Sequence, residues 1–557
     1  MSAAAPLRPP SRVMRLSRLG SLHQCRLSFM RQLTRRMGSE GWSFSRPVWQ
    51  IDTGGVGHAV YTARAPGHAY SLVAFAHDLP DDLRSDRVIA EAWDATFALF
   101  DGVPSPDDIA RLAANVPLQE AGRVSERELT LSRANRSVRL WDHVVGALAQ
   151  GRQPDPDRIA ATGYLMRTTA VYGSGKFGAA DRATYAHRRE MEAPFQAEML
   201  TVWLIRSFVR DLANHMARAR GGASAVPLAP ATARALGIGN STGLGLAPFI
   251  LNHPVLFHNW IAARETAIAR VRALPTASAA EAAQFRALLA QSAAMVAHWH
   301  SDHPLQIAKL TALRHDLAAL TAWCETDDLT DNAPFDRLIR WSEDALSEEG
   351  QELAASLILE PFGPLVDDLG PAMADAGDDP QIDGSMTTAT AAALIARCYD
   401  WALALDWSDP AQTARAWYVS EEKLEPRLGE RYEDPIEPYE QPLAPARDAA
   451  LAHAALGTCP PETPLAQFLL HHPEHRHTLR RAQIAARHRY AEIQGNTIAA
   501  DMLPIDMLRA KLAFFGATRF DPRSDRWVRI TMFQNAPYPD ELTPDNADLW
   551  PFPEAAP

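Results

Sequence analysis

The sequence is poor in lysine. Lysine accounts for only four of its 55 basic residues, and the other 51 are arginine. Together with many alanines and 41 prolines, this ratio is typical of the coding bias of a GC-rich bacterial genome. Most of the arginines therefore need no functional explanation, whereas each lysine is informative.

Cysteine and long apolar runs are also scarce. The four cysteines are widely separated and show no C-x-x-C spacing, which excludes a disulfide framework and a zinc ribbon. No stretch reaches the roughly 18 apolar residues that a membrane-crossing helix needs. We therefore expect a cytoplasmic protein without a membrane partner.

Acidic residues are missing from residues 1–39, which hold eight arginines. The whole chain has a net charge of −12, so the remaining residues carry −20. A body this acidic repels nucleic acid, which excludes a nucleic-acid partner. The first segment is predicted to form an amphipathic helix over residues 12–37 that docks on the acidic body, in preference to acting as a targeting peptide.

The pattern of residue types divides the 557-residue chain into segments. Residues 42–76 show β-branched and aromatic runs separated by glycines, which predicts antiparallel strands, whereas a helical period of 3.6 begins near residue 86. The predicted segments are a basic amphipathic arm (1–39), a small antiparallel sheet region (40–85), a main helical domain with glycine loops (86–365), an acidic linker (366–385), a C-terminal helical lobe with a terminal strand (386–533) and a proline-rich tail (534–557).

The fold class that follows is mainly α: a multi-helix body with a small antiparallel β-sheet near the N-terminus. A strand over residues 527–533 is expected to join that sheet. Clear helical periods are found over residues 193–219, 254–273, 279–300, 304–324, 335–358, 386–405 and 464–498.

The first candidate site is a glycine segment that contains Tyr172, Ser174 and Lys176. Glycines allow successive backbone N–H groups to surround an anion, and a lysine adds a positive charge. The segment is not a P-loop, because Ala170 replaces the first glycine of that motif and Phe177 replaces its metal-binding hydroxyl residue. A flexible helix connector is the alternative.

The second candidate site is the segment 237–245, in which four glycines surround Asn240, Ser241 and Thr242. The spacing G-x-G-x-x-x-G does not match the dinucleotide-binding motif. Glycines with small hydrogen-bonding side chains suit a loop that contacts a ligand, and an ordinary turn is the alternative. His253 follows closely and is predicted to reach the same cleft.

A third, charge-dense segment contains Lys423 and Arg427. These side chains suit a carboxylate ligand if the segment covers a cleft, and a solvated surface is the alternative. No metal is predicted, because neither histidine cluster (298–303 or 471–477) shows the spacing of a third ligand. The cofactor stays unknown: the 14 tryptophans allow a haem or flavin pocket without indicating one.

These residues predict a cytoplasmic enzyme, of the lyase or hydrolase type, that acts on a small anionic carboxylate or phosphate metabolite by acid–base chemistry. Tyr172, Lys176 and His253 are the expected catalytic residues. The alternative is a helical scaffold or adaptor that binds a partner through its acidic body and basic arm. A homo-oligomer is compatible with either function. The expected substrate-binding residues are Ser174, Asn240, Ser241, Thr242, Lys423 and Arg427.

Overall fold

Most of the chain is described by the computed structural model. Within the described residues the chain forms eighteen α-helices and two β-sheets. None of the helices in this part of the chain is both long enough and apolar enough to cross a membrane. The described residues are 5–80, 83, 92–117, 123–169, 184–240, 253–374, 381–409, 418–420, 426–427, 440–442, 444–494, 508–517, 519–521 and 529–552.

The larger sheet has nine strands, and three short strands form a second sheet. The strands are β1 Ser43–Ile51, β2 Gly57–Arg64, β3 Ala69–Ala76, β4 Ala95–Asp101, β5 Glu128–Arg136, β6 Tyr164–Thr169, β7 Gly237–Asn240, β8 Tyr418–Ser420, β9 Pro426–Arg427, β10 Glu440–Pro442, β11 Arg519–Asp521 and β12 Arg529–Met532. The large sheet has the order β1-β2-β3-β4-β5-β6-β7-β12-β11, and the small sheet has the order β10-β8-β9. Neighbouring strands are antiparallel except β6 and β7, which run parallel.

The predicted fold class, mainly α with a small antiparallel sheet near the N-terminus, is therefore wrong. The sheet is large and mixed, and it continues through β4 to β7 into residues that were assigned to helix. β4 follows a run whose apolar residues fit a helical spacing, yet residues 95–100 are buried on both faces of the sheet. A strand buried on both faces loses its period-2 alternation, so the residue pattern does not distinguish it from helix.

The outer strands of the sheet confirm the sequence interpretation. β1 to β3 coincide with the strands predicted over residues 42–76. Gly57 starts β2 with φ +138°, and a Cβ there would lie 1.9 Å from the carbonyl oxygen of Gln50, so only glycine fits. The strand predicted over residues 527–533 is β12, which joins the same sheet through β7 with Ile530 opposite Asn240.

The helices cover both faces of the sheet and build the remainder of the chain. They are α1 Pro10–Val13, α2 Phe29–Ser39, α3 Pro106–Asn115, α4 Trp141–Ala149, α5 Pro156–Thr162, α6 Gln196–Gly221, α7 Pro230–Ala235, α8 Pro254–Arg272, α9 Ala279–Ala297, α10 Pro304–Thr326, α11 Pro334–Ala345, α12 Glu348–Leu357, α13 Gly363–Val366, α14 Thr388–Cys398, α15 Asp400–Leu403, α16 Ala444–Leu456, α17 Leu465–His471 and α18 Arg476–Arg487.

The long helix α6 packs against the sheet. Thr201 of this helix shares a hydrogen bond of 2.7 Å with Thr130 of β5, and the Phe208 ring contacts the ring of Phe97. Arg206 interrupts the apolar sequence of α6 but is buried, and its guanidinium donates to the backbone carbonyls of Leu236 and Ala536. Those carbonyls hold the chain near β7 against α6, so the charged residue is part of the core.

Residues 5–39 are packed into the body. Instead of the single helix expected over residues 12–37, they form α1, a turn at Leu16–Arg18 and α2. Gly20 lies in the interruption with φ +131°, a conformation incompatible with a continuous helix. Arginines of the arm pair with acidic residues of the body, which is the docking that the charge pattern favoured.

Two groups of buried ion pairs make this contact. Arg8 Nη2 lies 2.8 Å from Glu265 Oε1, and its Nη1 lies 3.0 Å from Glu352 Oε1. Arg31 Nη1 lies 2.6 Å from Glu360 Oε1, and its Nη2 lies 2.8 Å from an oxygen of Asp548. Arg8 and Arg31 are almost completely buried, so these pairs belong to the interior of the protein.

Helices α14 to α18 surround a second, smaller hydrophobic core. Tyr399 of this group donates a hydrogen bond of 2.7 Å to Glu492, which also pairs with Arg481 at 2.6 Å. The tail predicted over residues 534–557 is irregular over its described part, but it is not loose, because Trp550 and Phe552 are buried against the main core.

Candidate functional site

Two of the nine residues selected from the sequence are described in full: Asn240 and His253. Arg427 is described only as backbone of β9, where it pairs with Tyr418. The predicted meeting of the two glycine segments over one cleft stays a prediction. The other selected residues lie outside the described residues, and they are Tyr172, Ser174, Lys176, Ser241, Thr242 and Lys423.

The strands that precede the two glycine segments end side by side. β6 ends at Thr169 and β7 ends at Asn240, and the strands are parallel with Thr168 opposite Asn240. Parallel strands end at the same edge of a sheet. The chain therefore continues from neighbouring positions into both glycine segments, and we call this edge the strand-end site.

A lysine amine contacts Asn240 at the strand-end site. Lys511 Nζ donates a hydrogen bond of 3.2 Å to Asn240 Oδ1, and both side chains are buried. Burial disfavours the charged ammonium and lowers the pKa of Lys511 from its ordinary value of 10.5 to about 7. A lysine with a pKa near neutrality exists partly as the free amine, which accepts a proton or attacks a carbonyl carbon.

Lys511 occupies the first position of a π-helix, Lys511–Phe515. A π-helix is rare and is found frequently at functional sites, because its wider turn displaces a side chain from the position that an α-helix would give it. All five residues of this turn are buried.

A buried hydroxyl group lies on the same face as Asn240. Thr168 is fully buried, and no residue in the described part of the chain forms a hydrogen bond with its Oγ1. Partners in neighbouring strands share a face of the sheet, so Thr168 and Asn240 point to the same side. Buried hydroxyls are normally satisfied, and one without a partner among the described residues, on the strand position paired with Asn240, indicates a position for a ligand.

Two arginines lie on the opposite face of the same edge. Arg133 of β5 is opposite Thr169, and Arg167 of β6 is opposite Asn135, which makes the two arginines diagonal neighbours on one face. The Arg133 guanidinium lies 4.1 Å from the centre of the Trp93 ring. Arg133 and Arg167 keep a positive charge at any physiological pH, so the strand ends carry positive charge on this face and Lys511 on the other.

The N-terminal arm holds the π-helix in place. The backbone N–H of Cys25 donates a hydrogen bond of 3.0 Å to the carbonyl of Ala513, and Gly20 approaches the same turn. A Cβ on Gly20 would lie 2.7 Å from both Ala513 Cβ and the carbonyl oxygen of Arg509. The arm thus contacts the segment that carries Lys511.

An aromatic cluster packs against the other side of the π-helix. The Phe515 ring lies 5.1 Å from the Phe29 ring and 4.9 Å from the Phe195 ring, measured between ring centres. Trp260 of α8 contacts the rings of both Phe514 and Phe515 at 5.8 Å. Such edge-to-face and tilted pairs restrict the orientation of each ring, so the position of Lys511 is well defined by its neighbours.

The histidines that follow the second glycine segment differ in their surroundings. His253 is the residue before the first turn of α8 and is half-buried. His258 accepts a hydrogen bond of 3.1 Å from the backbone N–H of Tyr490 and stacks on its ring. Burial lowers the pKa of His258 to about 4, so it is a neutral packing residue. A catalytic role for His253 stays a prediction.

Metal-ligating side chains come together elsewhere in the chain. Among the described residues, one set of three such side chains has ligand atoms within 4.8 Å of one another: His472, Glu474 and His475, at the turn between α17 and α18. The strand-end site itself offers an amine, an amide and a hydroxyl, which suit a hydrogen-bonded organic ligand better than a metal ion.

No protein-family model, curated protein or solved structure matches this chain. The functional argument therefore depends on the geometry of the described residues.

Proposed function

We propose that the protein is a cytoplasmic enzyme that moves a proton on a small anionic substrate, a carboxylate or a phosphate, at the strand-end site. Lys511 is the base, Asn240 holds its amine in position, and Thr168 donates a hydrogen bond to the substrate. The reaction is of the lyase or hydrolase type. The observation that carries this proposal is the buried contact between Lys511 Nζ and Asn240 Oδ1, at the position of β7 that pairs with Thr168 of β6.

The chemistry follows from the protonation state of the amine. A general base works best when its pKa is close to the operating pH, and the pKa of Lys511 is about 7. The Asn240 amide oxygen accepts one N–H of the amine, which fixes the position of the nitrogen. The free amine takes a proton from the substrate or from water, and the resulting ammonium returns that proton to the product or leaving group.

The choice of an anionic substrate rests on charge. The Lys511 ammonium forms beside Asn240 when the base is protonated, on the face of the sheet that Thr168 shares, whereas Arg133 and Arg167 lie on the opposite face of the same edge. Positive charge at a water-poor site stabilises an anionic transition state far more than it does in bulk water. A carboxylate or phosphate substrate matches that charge.

The glycine segments extend the proposal. Lys176 and Ser174 belong to the segment that follows β6, and Ser241 and Thr242 belong to the segment that follows β7. We propose that Lys176 neutralises the substrate and that the hydroxyl groups orient it, while Tyr172 or His253 serves as a second proton donor. Support for these roles comes from the adjacent ends of the two strands.

The adaptor alternative has less support. It requires the arginines of the arm for a partner, but Arg8 and Arg31 are buried and paired with Glu265, Glu352 and Glu360 of the same chain. Exposing them to a partner would leave buried carboxylates uncompensated.

The test combines ligand screening with a proton-transfer assay. Hydroxy acids, keto acids and phosphate monoesters are screened by thermal shift, and the hits are incubated with enzyme in D₂O. ¹H NMR then records exchange of a carbon-bound proton and bond cleavage. We expect activity that rises as the pH passes through about 7 and levels off above it, because the neutral amine is the active form.

Two substitutions make the test specific. Lys511→Met is expected to lower the rate by about a hundredfold or more, the usual contribution of a general base. Lys309→Met removes a half-buried lysine of α10 and is expected to leave the rate unchanged. Full activity in the Lys511→Met variant rejects the catalytic role, and the absence of activity towards the whole panel rejects the substrate class.

A further inference from the structure

Three metal-ligating side chains converge at a tight turn in the C-terminal helices. His472 is the residue after the last residue of α17, and the 3₁₀ turn Pro473–His475 leads directly into α18. Because proline fixes its own φ and restricts the residue before it, Pro473 makes this junction rigid. The backbone that carries His472, Glu474 and His475 is therefore rigid. The three residues lie within four consecutive positions of the chain.

Their ligand atoms have nearly the spacing that a tetrahedral ion requires. His472 Nδ1 lies 3.3 Å from Glu474 Oε1, and His475 Nε2 lies 3.8 Å from the same oxygen. The ligand atoms of all three side chains lie within 4.8 Å of one another. A zinc ion with bonds of about 2.1 Å places adjacent ligand atoms about 3.4 Å apart, so small side-chain rotations complete the geometry.

Packing fixes both imidazole rings. The Phe468 ring stacks with His472 at 4.7 Å and with His475 at 6.1 Å, measured between ring centres. Phe468 belongs to the second hydrophobic core, so it connects these histidines to the interior of the C-terminal helices. The ligands thus have an ordered hydrophobic wall on one side, which reduces the entropy lost when an ion binds.

The other side of the set is open to solvent. The side chain of Glu474 is 59% exposed and that of His472 is 35% exposed, whereas that of His475 is only 11% exposed. An ion therefore has an entry path, and a water molecule has access to a fourth coordination position.

We propose that His472, Glu474 and His475 bind one divalent transition-metal ion of the zinc class, with a fourth position taken by water. Two imidazoles and one carboxylate are a common ligand set for Zn²⁺ sites that keep an open position. The site is distinct from the strand-end site and does not depend on the proposed function. An ion here joins the end of α17 to the start of α18 and stabilises the C-terminal helices.

The test measures binding of Zn²⁺ and Co²⁺ to the full chain. Isothermal titration with Zn²⁺ is expected to give one equivalent per chain, and Co²⁺ is expected to give the visible absorption bands of a tetrahedral complex. A wild-type protein that binds no equivalent of Zn²⁺ overturns the proposal.

Matched substitutions distinguish this site from general binding by a histidine-rich segment. His472→Ala and Glu474→Gln are each expected to weaken Zn²⁺ binding by about tenfold or more. The double variant His471→Ala/His477→Ala removes two exposed histidines from the same segment and is expected to keep the wild-type affinity. Equal losses in the double variant and in His472→Ala overturn the proposal. Circular dichroism without metal verifies that each variant is folded.

Discussion

Replacing Lys511 with methionine is expected to change how the stability of the protein depends on pH. Lys511 is buried, and burial lowers its pKa from 10.5 to about 7 in the folded protein. The unfolded chain therefore binds a proton at this amine more readily than the folded chain does between these two values. Methionine has a similar length and no charge, so the variant lacks this difference.

The magnitude follows from the two pKa values. Above pH 10.5 the amine is neutral in both states and costs the folded protein nothing through ionisation. As the pH falls towards 7, the buried amine destabilises the folded protein increasingly. Linkage gives a destabilisation of about 2 kcal/mol at pH 9 and about 4 kcal/mol at pH 7. Relative to Lys511→Met, the wild-type protein is therefore expected to gain about 2 kcal/mol of stability between pH 7 and pH 9.

Urea unfolding followed by tryptophan fluorescence at several pH values measures this quantity. Other groups also titrate over this range, but they are common to both proteins and cancel in the difference. Lys309→Met is the control and is expected to follow the wild-type curve. Parallel curves for wild type and Lys511→Met would show that the amine is not held in a water-poor position, and the argument for a neutral base at the strand-end site would fail.

Two further predictions concern the N-terminal arm and its ion pairs. Glu352→Gln is expected to cost about 3–5 kcal/mol in urea unfolding, because it leaves buried arginines without their carboxylate, whereas Asp142→Asn in an exposed pair is expected to cost less than about 1 kcal/mol. Neighbouring arginines lower the pKa of Glu352 from 4.5 to about 2 against the effect of burial, so the wild type loses the contribution of this carboxylate as the pH falls through that range, and the stability difference from the variant becomes smaller. Gly20→Ala is expected to cost about 1–3 kcal/mol through contact with Ala513, more than Gly41→Ala, which has positive φ but open space; equal melting temperatures for the two would contradict this.

Some helices and the first three strands could be predicted from local pattern, whereas the single helices expected over residues 335–358, 386–405 and 464–498 are each divided into two in the structure. α8 begins at Pro254 as expected, because proline suits the first helical turn. α9 and α10 fall within the predicted windows 279–300 and 304–324 to within a few residues. α9 and α10 have one face in the core and one towards solvent, so their residue period reports the structure directly.

The remainder of the large sheet could not be predicted in this way. β4 is covered on one side by α6, through Phe97 and Phe208, and on the other by Leu112 of α3. Burial on both sides removes the alternation that identifies a strand. β7 has only four residues, two of them glycine, and its strand conformation depends on pairing with β6 and β12. Because these partners are distant in sequence, the residues of β7 alone do not indicate a strand.

The candidate site was predicted in part. Asn240 was selected for its glycine-rich surroundings, and the structure places it at the end of a parallel strand pair. Lys511 was missed, since an isolated lysine in an apolar segment resembles the edge of an amphipathic helix. Two signals pointed to it: lysine is scarce in this sequence, and residues 512–515 offer no polar face on which the ammonium would remain solvated.

The N-terminal arm connects the stability of the body to the strand-end site. Its arginines neutralise Glu352 and Glu360 inside the protein, and the stretch between α1 and α2 contacts the π-helix that carries Lys511. A buried amine with a lowered pKa reduces the free energy of unfolding. The protein keeps the amine in this position only if the surrounding contacts hold it in place. The ion pairs of the arm and the aromatic cluster around Phe515 supply those contacts. The charge imbalance between the arm and the body is thus explained by internal packing, and it no longer requires a nucleic acid or an adaptor partner.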